Sequence, residues 1–334
     1  MCIFTVTSEP TVAPRRTGAV ARIAPAMACA AALLALGGAP AHAQLARTFV
    51  SAAVGNDGAN CDRPTPCRTF QHAHDQTLAN GEITVLDPGG YGAVTINRTI
   101  SIINDGVGEA GVLVSGGVTG ITVNAADTDA VSLRGLTIKG IGFGGGTGIV
   151  FLKGKSLTVE NCAIRNMSGT VTGNGISFVP SGSGSLAVSK TIVTDNSAQG
   201  ISIAPTGSGT VSAVFNGTEI YNSGGDGLAV NGLQSTGTIK ATVADSVSAG
   251  NGGSGFSLLT NGSLMVVRSV SANNAAAGLA SQGGQAAILR FGASTITGNF
   301  RGLVRANAGL SSYGDNNVDG NGPDVGGADH IATK

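Results

Sequence analysis

The chain has 334 residues, with 54 Gly, 10 Pro, no Trp, 42% hydrophobic and 11% charged residues, and its 19 basic side chains balance 19 acidic ones. Each Gly inside a helix costs about 1 kcal/mol relative to Ala, so this composition excludes a helical protein, and the apolar content excludes disorder. Balanced charge leaves no electrostatic footprint for nucleic acid or an anionic membrane surface.

At the N-terminus, Arg15, Arg16 and Arg22 precede an apolar run from Ala24 to Leu36, and Ala41-His42-Ala43 supplies an A-x-A cleavage pattern. Residues 1–43 are therefore expected to be a secretory signal peptide, and the run is too short to span a bilayer. Cleavage leaves 16 basic and 18 acidic residues, from Gln44 onward, in a chain predicted to be secreted, periplasmic or on the cell surface. Cys61 and Cys67 lie six apart in NCDRPTPC, and an oxidising compartment predicts a local disulfide. Zinc is the weaker alternative, because His72 and His74 follow without the usual spacing or a fourth ligand. No metal and no cofactor is expected. Cys162 falls in an apolar strand segment, where a thiol behaves as a small hydrophobe.

From Gly148 onward the chain repeats. Gly followed by a large apolar residue recurs at Gly148-Ile149, Gly175-Ile176, Gly200-Ile201, Gly227-Leu228, Gly255-Phe256, Gly278-Leu279 and Gly302-Leu303, at intervals of 27, 25, 27, 28, 23 and 24 residues. Each unit reads as a first strand after the Gly, a turn, a second strand such as SLTVEN at Ser156, and a third strand ending near Asn. Period-two alternation puts Ile149 and Phe151, Ile176 and Phe178, and their equivalents on one core face. Equal phase every 25 or so residues is what stacked solenoid turns require and a sandwich does not. The recurring Asn196, Asn222, Asn251, Asn274 and Asn299 are expected to tolerate left-handed turns and to stack as an amide ladder.

Coils of this length with an Asn column resemble the right-handed parallel β-helix of the pectin-lyase-like superfamily, in its exported bacterial form. The entry segment is similar to that group's N-terminal cap and first coil: RTFVSAAVGND, NCDRPTPCRTF, a short helix, then GEITVLDPGGYGAVTINRTISI. The resemblance implies an all-β right-handed parallel β-helix over residues 81–322, a cap over 44–80, and a polar tail over 323–334. A helix from Arg68 to Leu78, with Phe70, Ala73 and Leu78 inward, would close the open end of the core.

Members that cleave acidic polysaccharide carry outward carboxylates on adjacent coils at one phase, about 5 Å apart. The outward positions of the first strands are Val150, Ser177, Ser202, Ala229, Ser257, Ala280 and Val304, then Leu152, Val179, Ala204, Asn231, Leu259, Gln282 and Ala306. Neither column holds a carboxylate. Asp127, Asp129, Arg134 and Lys139 form the densest polar cluster, read as turn acids and solvated cations. His72, His74 and His330 are read as solvated. Asp315 to Asp319 matches half a calcium loop, with Gly326 where the bidentate Glu belongs. The predicted function is a non-catalytic rod binding glycan or another surface, with a flat first-strand face available to polysaccharide or a second copy; the alternative is a polysaccharide lyase or glycoside hydrolase acting on an acidic polysaccharide.

Overall fold

The computed structural model describes residues 44–141, 146–169, 173–284 and 286–332, so the expected signal peptide lies outside the described residues. Three parallel sheets of nine, ten and twelve strands surround one core. Each coil gives one strand to each sheet in turn: Ile149–Lys153, Ser156–Glu160 and Ala163–Arg165 lie in the first-, second- and third-strand sheets. Parallel neighbours a whole coil apart need a long connection between them, and here that connection is the rest of the coil. The register is the one that the repeat predicts, with Ile149, Ile176, Ile201, Leu228, Phe256, Leu279 and Leu303 in line. All seven are buried. The chain is an all-β parallel β-helix.

The repeat glycines have a steric cause. A Cβ on Gly148 would stand 2.6 Å from the Gly175 carbonyl oxygen, and on Gly175, Gly200 and Gly227 it would meet the next glycine's oxygen at 2.6, 2.7 and 2.8 Å. No other residue fits so close an approach of backbone to backbone. The column starts a coil earlier than the sequence repeat suggests, because Gly120 faces the Gly148 oxygen at 2.7 Å.

Two adjacent columns share the work expected of one Asn column. Asn166, Asp195, Asn222, Gly250, Asn273, Gly298 and Gly320 occupy the left-handed corner, all with positive φ. The next residue points inward: Met167 after Asn166, then Asn196, Ser223, Asn251, Asn274, Asn299 and Asn321 in the coils that follow. Asn251 Nδ2 donates to Asn274 Oδ1, Asn274 to Asn299 and Asn299 to Asn321, each at 2.9 Å. Asn222 is thus one position off the ladder, exposed, with its Nδ2 on Asp195 Oδ1. Ser223 takes the ladder position in that coil.

A third column turns the corner between second and third strands. Ser246, Ser269 and Ser294 each donate to the carbonyl two residues back and accept from the equivalent backbone N–H one coil below. Cys162 occupies this column: Leu136 N donates to its Sγ at 3.4 Å, and its thiol meets the Glu160 carbonyl at 3.3 Å. It is therefore a polar corner residue and not merely a small hydrophobe. Burial pushes its thiol up to about 11, so it stays protonated at neutral pH.

The N-terminal end is closed by helix α1, Phe70–Gln76, with Thr69 as N-cap accepting from His72 N. Phe70 packs on Tyr91 with ring centroids 5.0 Å apart. Asp87 gathers Ser51 Oγ, the backbone N–H groups of Ala52 and Ala53, and Tyr91 Oη. The helix is shorter than expected, so Leu78 falls in the strand Thr77–Val85 and is exposed. His74, expected in solvent, is fully buried beside Asp75. At the other end, residues read as a polar tail continue the rod: Asp329–His330 pairs with Gly309–Ser312, and Val325 N donates to the Leu303 carbonyl at 3.0 Å. Among the described residues no helix is long and apolar enough to cross a membrane.

Candidate functional site

The sequence-predicted residues do not converge on one site. Arg134 lies on the second-strand sheet and pairs with Asp105, while Lys139 lies on the third-strand sheet in register with Arg165. Asp129 caps its own turn through Ala126 N and Thr99 Oγ1, and Asp127 is 3.8 Å from Lys153. Within the half calcium loop, Asp315 Oδ1 accepts from Ala293 N, Asn316 Oδ1 from Ser294 N and Asp319 Oδ1 from Gly320 N. Those acceptors are committed to backbone, which makes the loop a corner continuing the columns beneath it.

The first-strand face has the predicted register but is less open than expected. Val150, Ser177, Ser202, Ala229 and Ser257 are half-buried and Ala280 is buried. Asp226 stands at its margin, accepting from Ser257 Oγ and Ser254 N, both at 2.6 Å.

A cleft lies on the second-strand sheet near the C-terminal end. Alternation sends Leu264 and Leu289 inward and Met265 and Arg290 outward, in register with each other. Two adjoining hollows of about 690 and 430 Å³ share Met265, Arg290 and Tyr313; Asp315 and Ile331 line the first, Lys240 and Thr242 the second. Tyr313 is held by its N–H on the Phe291 carbonyl at 3.1 Å. Gly292 admits its ring, since a Cβ there would stand 3.1 Å from Tyr313 Cδ2. No ion pair among the described residues engages Lys240 or Arg290. Two cations without carboxylate partners, an aromatic ring and an apolar floor of Met265 and Val267 together suit a ligand with anionic groups on a flat carbon skeleton.

Of these cleft residues only Asp315 was singled out from sequence, as the start of the half calcium loop. The available signal was the outward phase of KATV at Lys240 and ILRF at Ile288, where Lys240 stands between Ser212 and Ser263, and Arg290 between Met265 and Ser311.

No protein-family model matches the sequence, and no curated protein matches it. Among solved structures, the chain is similar to the pectate lyase Pel9A, with 17% identity and a TM-score of 0.55 over 86% of this chain and 77% of that one. It is also similar to a rhamnogalacturonan lyase, with 14% identity and a TM-score of 0.53 over 85% of this chain and 89% of that one. By fold, the chain is a parallel β-helix, similar in architecture to these two lyases.

Proposed function

We propose that this chain is an exported protein that binds an acidic polysaccharide across the cleft formed by Lys240, Met265, Arg290 and Tyr313. The observation that carries the reading is the pair Lys240 and Arg290, unpaired cations on one face beside an aromatic ring. A uronate residue would set its carboxylate against the Arg290 guanidinium, which accepts it in two parallel hydrogen bonds, and its C–H face against Tyr313 or Met265. Lys240 lies two strands away, about 10 Å along the rod, a spacing at which a second carboxylate of the same polymer meets it. Two lyases sharing the fold are named for pectate and rhamnogalacturonan, which supports the choice of polymer class. Export is supported by the Arg-led apolar N-terminus and the Cys61–Cys67 bridge.

The test is retention of the mature chain on immobilised polygalacturonate, alginate and a neutral glucan at rising salt. Binding to the two acidic polymers that weakens at least tenfold in Arg290→Ala and Lys240→Ala is the expected result. Equal retention on the neutral glucan overturns it. A second reading, eliminative cleavage, is favoured by the Tyr313 ring beside Arg290, since neutralising a uronate carboxylate acidifies the adjacent C–H. Appearance of unsaturated uronate in the same incubation, lost in Tyr313→Phe, would establish it.

A further inference from the structure

The cap brings together three metal ligands that the sequence offered only as the weaker alternative to a disulfide. Cys61 Sγ, Cys67 Sγ and a His72 ring nitrogen all lie within 4.8 Å of one another, with both cysteines buried and His72 half-buried. As the structure stands, the two sulfurs are joined in a disulfide. We propose that, once this disulfide is reduced, Cys61, Cys67 and His72 form a binding site for Zn(II), so that the cap exchanges a covalent clasp for a metal clasp.

Preorganisation supports this, because the cysteines are held by backbone and not by the sulfur bridge alone. Phe49 N donates to the Cys61 carbonyl at 2.8 Å, Cys67 N to the Phe49 carbonyl at 2.9 Å, and Ser51 N to the Cys67 carbonyl at 2.9 Å. Asp62 ties the intervening loop by accepting from Thr65 N and Thr65 Oγ1 at 2.8 and 2.7 Å. His72 is fixed relative to this loop by Asp57, which accepts from Arg68 N, Thr69 N and Thr69 Oγ1 at 2.8, 3.0 and 2.9 Å, while Thr69 caps the helix that carries His72. Breaking the S–S bond therefore leaves all three donors facing one point.

The chemistry fits. Ligands about 2.3 Å from a tetrahedral zinc stand about 3.7 Å apart, so the sulfurs need only side-chain rotation to part from bonding distance. Two thiolates and one imidazole select a thiophilic d10 ion, and solvent takes the fourth position, as in three-ligand zinc sites. Reduction by a dithiol passes two electrons to the S–S bond and oxidises the reductant to its own disulfide; the two cysteines take up two protons as thiols. Zn(II) binding then releases those two protons to solvent.

The experiment uses the mature chain, oxidised or reduced with a phosphine, titrated with Zn(II) against a chromophoric chelator. One equivalent per reduced chain and under one-tenth equivalent per oxidised chain is expected. Cys61→Ser should abolish binding, and His72→Gln should weaken it at least tenfold while circular dichroism stays unchanged. Co(II) in place of Zn(II) should give a thiolate charge-transfer band in the reduced wild type that is lost in Cys67→Ser. Equal zinc uptake by oxidised chain, an unaffected His72→Gln variant, or a reduced chain that unfolds and is not recovered by Zn(II) would each overturn the proposal.

Discussion

From Asn251 to Asn321 the inner amides form an unbroken chain of hydrogen bonds, whereas one coil below Asn251 the position is Ser223 and the chain stops. There, Asn196 Nδ2 and Ser223 Oγ are buried without a hydrogen-bond partner in the protein. Register, glycine column and left-handed corner are the same on both sides of the break. The backbone repeat thus tolerates the loss of a side-chain link. What changes is local satisfaction of polar atoms, which in a one-dimensional rod weakens one coil interface without altering its neighbours.

The largest test of this contrast is Asn274→Ala. Asn274 Oδ1 accepts from Asn251 N and Nδ2, and its own Nδ2 reaches Ser248 O, Ser271 Oγ and Asn299 Oδ1. Its removal should cost about 3 kcal/mol, since several buried groups lose partners at once. Asn196→Ala, already lacking a partner for Nδ2, should cost less than half as much. Urea melts giving equal losses would erase the distinction.

Repair is the second test. Ser223→Asn supplies the missing acceptor for Asn196 and a donor for Asn251 Oδ1, at a site where Gly200 leaves room as Gly227 does for Asn251. A gain of about 1 kcal/mol is expected, and a loss would mean that the ladder is incidental to packing.

Acid separates cap from rod, because amide and hydroxyl columns do not titrate in this range. Burial, with help from Arg98, holds the His74 imidazole below its ordinary value, against the opposing pull of Asp75. The unfolded chain therefore binds the proton first, so stability falls as pH drops below about 6.5. A melting temperature that declines from pH 7 to 5 in wild type, but less in His74→Gln, is expected. The smallest effect belongs to Cys162→Ser, which keeps a donor and an acceptor in the hydroxyl column and should shift stability by about 0.5 kcal/mol or less. A loss several times larger would mark the thiol's size as the reason for its place.

The coil was legible because its cause is local and repeated: each Gly148-type residue meets the same carbonyl, so the requirement is written once per turn. Asn222 was misplaced because two neighbouring corner positions both favour Asn for different reasons, one for positive φ and one for amide stacking. His74 escaped because the helix ends at Gln76, and the strand that follows turns Leu78 out and leaves His74 beneath Arg98 and Asn97. The cleft was hidden for a non-local reason. Lys240 and Arg290 come from coils about 50 residues apart, and Tyr313 and Ile331 join them only when the next two turns stack in parallel on the coil that carries Arg290.

The glycine-to-carbonyl column also sets a rule for how this chain can change in length. Residues added in the turn after a first strand leave the column untouched, and the spacing already varies there: seven residues separate Leu228–Asn231 from Ile239–Ala244, and two separate Phe256–Leu259 from Gly262–Val267. Residues added within a strand would put that coil out of register with the coils on either side of it. Deletion or duplication is therefore quantised in whole coils: excising Gly227 through Ser254 would bring Gly255 above Gly200, glycine on glycine. The molecule is built so that its genetics counts in turns, and a rod of another length is one recombination away.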